Sequence, residues 1–87
     1  MAWTLEYAAA AQKTLKKLNR QDSDHITRAL GEIAQLDDPT VRGHALVGNL
    51  RGLWRYRVED WRVIVRLEQR RVVILVVEVG HRSKVYR

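Results

Sequence analysis

The spacing of apolar residues changes along the chain, and each change marks a new element. Residues 3–7, Trp-Thr-Leu-Glu-Tyr, alternate and include aromatic and β-branched side chains, which predicts a short strand. Over residues 8–19 the period lengthens. Ala8, Ala11, Leu15 and Leu18 fall on one helical stripe while Lys13, Lys16 and Lys17 lie off it, the pattern of an amphipathic helix. Arg20-Gln21 is the expected break. Asp22, Ser23 and Asp24 are good N-caps whose carboxylates suit a first turn, and Ile26, Ala29, Leu30, Ile33 and Ala34 then keep helical spacing. A second helix is therefore expected to end near Leu36, where Asp37-Asp38-Pro39 stops it. The short gap between the helices implies an antiparallel hairpin.

Residues 40–52 hold Gly43, Gly48 and Gly52 among few periodic apolar positions and read as a loop returning the chain to the sheet. Trp54-Arg55-Tyr56-Arg57-Val58 alternates strictly, residues 61–67 alternate again, and residues 72–79 are almost continuously β-branched. With Glu59-Asp60 and Gln69-Arg70-Arg71 as tight connections, these runs predict an antiparallel meander. The last strand, apolar on both faces, should be central. The expected fold is α+β: a small antiparallel sheet in the order β-α-α-β-β-β, with the N-terminal helical hairpin packed on one face. No further helix is expected after the last strand.

Length and composition narrow the function. The 87 residues are expected to form one domain. Without cysteine there are no disulfides, thiolate metal sites or cysteine nucleophiles. The N-terminus lacks the basic-then-apolar pattern of a secretory signal, and no apolar run reaches the ~18 residues of a membrane span; a cytoplasmic protein without membrane contact is expected. The net charge of +6 and pI near 10.3 favour polyanionic partners. That charge is segregated. Residues 1–50 balance Lys13, Lys16, Lys17, Arg20, Arg28 and Arg42 against an equal number of carboxylates. Residues 51–87 carry the whole excess, nearly all of it arginine, the side chain best suited to bidentate phosphate contact.

A two-residue loop at Glu59-Asp60 would set Val58 against Trp61, Arg57 against Arg62 and Arg55 against Ile64. Arg55, Arg57 and Arg62 then share one face, while Trp54, Tyr56, Val58, Trp61, Val63 and Val65 share the other and seat the helices. Like charges facing each other across a ladder repel, so an anion is expected between them. Glu68 or Glu78 could supply it from within, but phosphate fits an arginine cluster better. After Gly80, expected to turn the chain at the strand's end, His81, Arg82, Lys84 and Tyr86 bring an imidazole, two cations and a phenol near that face. RNA cleavage without a metal needs such groups: charge stabilisation on the phosphate, a base for the 2′-hydroxyl and an acid for the leaving oxygen. His81 is the candidate base, and Tyr86 could stack on a nucleobase or donate a proton. The sequence holds no phosphate-binding glycine loop, no paired histidines at ligand spacing and no carboxylate cluster for magnesium, so neither cofactor nor metal is expected.

On the helical hairpin, the run Leu53-Trp54-Arg55-Tyr56-Arg57-Val58 with Trp61-Arg62-Val63-Ile64, and the closing Val79-Gly80-His81-Arg82 through Val85-Tyr86, the chain resembles the RelE/ParE toxin superfamily over its whole length. The resemblance implies a single RelE-like toxin domain over residues 1–87, acting as the toxin of a type II toxin–antitoxin system. It further implies a metal-independent, ribosome-dependent mRNA endonuclease that inhibits translation. Carried over by position, Arg55 and Arg57 stand where relatives have a basic pair, often lysines. Arg62 matches the arginine opening the next strand, Arg82 the arginine after the last strand, and Tyr86 the terminal tyrosine. His81 stands where relatives have histidine or lysine. Arginine at Arg55 and Arg57 deprotonates less readily than lysine, so phosphate binding is expected there rather than a base role. The implied partners are a cognate acidic antitoxin, the ribosome with its mRNA, and operator DNA only as the toxin–antitoxin complex. The alternative is a ParE-like, non-enzymatic toxin inhibiting DNA gyrase on the same fold, since fold alone does not separate the two. A plain nucleic-acid-binding module would need exposed aromatics among the basic residues, whereas Trp54, Tyr56 and Trp61 are expected beneath the helices.

Overall fold

The computed structural model describes residues 2–84. Among them the chain runs through β1 (Thr4–Tyr7), α1 (Ala9–Lys17), α2 (Arg20–Ala34), β2 (His44–Ala45), β3 (Trp54–Val58), β4 (Trp61–Glu68) and β5 (Val73–His81). The strands form a sheet in the order β1-β5-β4-β3-β2, giving the expected α+β class. The sheet is mixed rather than wholly antiparallel, because β1 pairs with β5 in parallel, Thr4 to Val73 through Tyr7 to Val76. The helical hairpin carries the chain from β1 towards the far edge, and the meander β2-β3-β4-β5 walks back until its last strand lies beside the first. β5 is accordingly central, as its two apolar faces require.

α2 starts at least three residues earlier than its sequence implies. The Asn19 side-chain carbonyl accepts from the Asp22 backbone N–H at 2.8 Å, so Asn19 is the N-cap and Arg20-Gln21 form the first turn. Asp22 is left inside that turn, where its carboxylate favours the helix dipole. The helices bury Ala11, Ile26, Leu30, Ile33 and Ala34 against Tyr56, Val58, Val63, Val65, Ile74, Val76 and Val79, with Trp54 and Trp61 packed at the margin. These positions recur at helical spacing in α1 and α2 and at spacing two in β3 and β4, so one face of each element supplies the core.

The loop expected over residues 40–52 contains two 3₁₀ turns, Pro39–Val41 and Gly48–Leu50, and the short edge strand β2. The β4–β5 connection closes through Arg71 N–H to the Glu68 carbonyl and Val72 N–H to the Gln69 carbonyl, leaving Val72 at φ 55°. β5 does not end at Gly80. It continues to His81, with Gly80 paired to Arg62. A bulge follows Ile64, which pairs with Glu78 while Val65 pairs with Val76. It absorbs one extra residue of β5 and lets Val76 and Val79 both face the core.

Candidate functional site

The site is built on the β3–β4 hairpin. Glu59 takes φ 54° and turns the chain in two residues, so Val58 faces Trp61, Arg57 faces Arg62 and Arg55 faces Ile64. The face bearing Tyr56, Val58, Val63 and Val65 is covered by the helices, which leaves Arg55, Arg57 and Arg62 on the other. β2 extends this arrangement by pairing His44 with Arg55. Two rows therefore cross the helix-free face: Gly80, Arg62 and Arg57 in one, and Glu78, Ile64, Arg55 and His44 in the next. Neighbours within a row stand roughly 5 Å apart and the rows are separated by roughly 7 Å.

The arginines are not equivalent. Arg57 is exposed, whereas Arg55 and Arg62 are half-buried. The Arg62 guanidinium folds back over the hairpin, where one terminal nitrogen donates to the carbonyls of Glu59 at 3.0 Å and Trp61 at 3.1 Å. That contact restrains the guanidinium without neutralising it. Ion pairs among the described residues join Arg20 to Asp24, His25 to Glu59, Arg71 to Glu6 and Glu68, and Arg82 to Asp60. None of these takes Arg57 or Arg62, and Glu68, one of the carboxylates considered as an internal neutraliser, is engaged with Arg71 at 2.7 Å.

Beside Arg55 and Arg57 lies a cleft of about 150 Å³ lined by Arg42, Gly43, His44, Arg55, Tyr56 and Arg57. Its wall is fixed from below. The Tyr56 hydroxyl donates to the Pro39 carbonyl at 2.8 Å and Trp54 Nε1 donates to the Arg42 carbonyl at 2.7 Å, pinning residues 39–42 against β3. Gly43, at φ 81°, passes so close that a Cβ there would overlap the Arg55 carbonyl and come within 2.6 Å of Trp54 Nε1. Arg42 and His44 escaped the sequence reading because a two-residue strand shows no period. The signal in the sequence is Gly43 just ahead of His44.

The residues after β5 are placed differently from the arginines. The Arg82 backbone N–H donates to the Asp60 carbonyl at 2.8 Å and its Nε lies 3.8 Å from the Asp60 carboxylate, so Arg82 docks on the hairpin tip. His81 pairs with Trp61, one register step off the arginine row and therefore on the helix side of the sheet. Its ring meets Trp61 edge-to-face at 5.5 Å, and its Nδ1 accepts the Ser83 backbone N–H and lies 2.9 Å from the Ser83 hydroxyl. The structure thus brings Arg55, Arg57 and Arg62 onto one face, sets Arg82 at its margin, and does not bring His81 to them. Tyr86 lies outside the described residues. Among the described residues no three histidine, aspartate or glutamate side chains converge as metal ligands, and no helix is long and apolar enough to cross a membrane.

A helical hairpin over a mixed sheet is an architecture that solved structures of other proteins share. The toxin–antitoxin complex RelBE2 from Mycobacterium tuberculosis is similar at TM-score 0.85 and 21% identity, covering 97% of this chain and 95% of that one. Isolated RelE from E. coli matches at TM-score 0.73 and 22% identity over 98% and 92% of the two chains. YafQ from E. coli matches at TM-score 0.75 and 20% identity over 98% and 99%. At these identities the likeness is one of fold. No curated protein matches by sequence. The model of the ParE toxin of type II toxin–antitoxin systems, parDE, matches residues 5–86, and the chain belongs to that family within the RelE/ParE superfamily.

Proposed function

We propose that this toxin is an mRNA endonuclease that acts on the ribosome and cleaves by attack of a 2′-hydroxyl on the adjacent phosphate. The observation that carries the reading is the like-charged pair Arg57–Arg62, set directly across the ladder on the helix-free face with Arg55 beside it and with no ion pair to Arg57 or Arg62 among the described residues. A scissile phosphate relieves that repulsion, and its non-bridging oxygens gain charge as the O2′–P bond forms and the P–O5′ bond breaks. Donors fixed in advance stabilise such charge best, and the Arg62 contacts with the hairpin carbonyls serve that end. Arg82, at the margin, and Tyr86 complete the proposed set. In this reading the toxin works in the cytoplasm and is restrained by a cognate acidic antitoxin covering the basic face. The antitoxin complex, rather than the toxin alone, binds operator DNA.

Primer extension on translated mRNA tests the proposal. Wild type should cut within codons, and Arg57→Ala, Arg62→Ala, Arg82→Ala and Tyr86→Ala should each lose about 100-fold or more in rate, the usual effect of removing one group that stabilises the transition state. The second reading, a gyrase inhibitor, is favoured by the family match itself, which is to the ParE toxin. Gyrase-dependent DNA breaks with intact message would establish it and discard the ribonuclease.

A further inference from the structure

We infer that Glu6 and Glu68, by holding Arg71 between them, close one end of the helix-free face to RNA, so that the message crosses the sheet at the β3–β4 hairpin end; this deepens the ribonuclease reading and rests on its placing RNA on that face. The face is polarised along its strands. At the hairpin end stand Arg55, Arg57 and Arg62 against Glu78 alone. At the far end Leu5 and Leu67 pack on the core, which sets Glu6, Arg66 and Glu68 on the helix-free side, and Arg71 reaches them from the β4–β5 turn. The first group carries an excess of two positive charges, whereas the second, two arginines against two glutamates, is neutral.

The neutral end is built as a clasp. Arg71 Nη1 donates to Glu68 Oε1 at 2.7 Å and its Nη2 donates to Glu6 Oε2 at 3.0 Å. Glu68 ends β4 and Glu6 lies on β1, with β5 between them in the sheet. The bridge therefore passes over the first residues of β5, where Val73 is 4% exposed although it lies on the helix-free side. An isolated exposed ion pair contributes little, but here one guanidinium meets two carboxylates on strands whose separation the sheet fixes. A phosphate reaching Arg71 has to displace both carboxylates and then lie beside them.

The consequence is register. A strand laid along β4 would meet Arg62, Arg66 and Arg71 in succession and carry its phosphates away from the Arg57–Arg62 pair. With Arg71 engaged, and with only Leu75 between Arg66 and Glu6 in their row, that path is closed, and a strand crossing the ladder from Arg62 to Arg57 is favoured. Making the wrong mode unfavourable is a common source of discrimination. Glu68 stands six residues from Arg62 along β4, roughly 20 Å away and well beyond the ~8 Å over which exposed charges interact at physiological salt. The clasp thus selects how the strand lies without acting on the reacting phosphate.

The test is salt-dependent binding of an uncleavable 2′-O-methyl oligoribonucleotide, read together with the side-chain Nε–H resonances of Arg57 and Arg71. In wild type, RNA should shift the Arg57 resonance and leave that of Arg71 in place, and Arg71→Ala should leave the slope of log affinity against log salt unaltered. Glu6→Gln with Glu68→Gln frees Arg71 as a further phosphate contact, so the slope should steepen by roughly 0.7 and the Arg71 resonance should now move. Adding Arg71→Ala to that pair should return the slope to the wild-type value. Cutting of ribosome-bound message by the double variant should stay within about twofold of wild type, as screening over that distance requires. An unchanged slope in the double variant, or an Arg71 resonance that moves in wild type, overturns the proposal. A chain that binds no RNA overturns it together with the ribonuclease reading, whereas one that binds with these slopes and leaves message intact overturns the cleavage step alone.

Discussion

Tyr56 joins the core to the cleft. Its ring is 2% exposed among the helix-facing residues, and its hydroxyl donates to the Pro39 carbonyl at 2.8 Å. Burial pushes its phenol up to about 12. An unfolded chain releases this proton near pH 10 while the folded chain keeps it, so ionisation favours unfolding. The stability is complete below about pH 10 and is lost as pH rises towards 12. Melting temperature should therefore fall over that window, and Tyr56→Phe should flatten part of the fall. Tyr7, also raised by burial, adds to the fall in the same direction. At neutral pH the same substitution leaves the Pro39 carbonyl unpaired and should cost about 1–3 kcal/mol in denaturant unfolding. Val72 gives a prediction of opposite sign. A β-branched residue at φ 55° is strained, so Val72→Asn, which tolerates that conformation, should stabilise by about 1 kcal/mol. Neither the Val72 backbone nor the return of the Arg62 guanidinium to Glu59 and Trp61 is legible in sequence. Both follow from turn geometry, which residue type constrains only loosely.

Among the elements, the β3–β4 hairpin was the most legible. A strict period of two on both sides of a two-residue turn leaves one register that buries Tyr56, Val58, Val63 and Val65 together, and a one-residue slip would turn all of them outward. Three features escaped. Asn19 preempted the cap expected at residues 22–24 because any side chain able to accept from the third N–H of a helix can start it, and Asn19 comes first. The parallel pairing of β1 with β5 joins the two ends of the chain, and local pattern holds no trace of it. β2 is too short to show a period, and with it went His44. Its dependence on Gly43 is testable: Gly43→Ala adds a Cβ that collides with β3 at a left-handed backbone position. The loop should lift from β3, costing about 1–3 kcal/mol and exposing Trp54 as its bond to the Arg42 carbonyl breaks, which thermal unfolding and tryptophan fluorescence would register. A Gly43→Ala protein with unchanged stability and unchanged Trp54 emission would show that the close approach is not required.

For the whole molecule, the fold converts a one-dimensional asymmetry of charge into a two-sided object. Residues 1–50 are neutral overall and form the helical layer, while residues 51–87 carry the +6 excess and supply β3, β4 and β5. The helices occupy one face of those strands, so Arg55, Arg57 and Arg62 of the basic half project from the other. If RNA lies on that face, counterion release fixes how binding responds to salt: log affinity for a single strand falls with log salt by roughly 0.7 for each phosphate neutralised. Three arginines acting together give a slope of roughly −2, and Arg57→Ala should reduce it by roughly 0.7. Lys16 and Lys17, exposed at the end of α1, offer a matched control, because charge removed there changes the net charge by as much or more without touching the sheet. Lys16→Ala with Lys17→Ala should leave the slope unaltered. A slope that responds to these lysines and ignores Arg57 would place the nucleic acid over the helices and leave the arginine face to another partner.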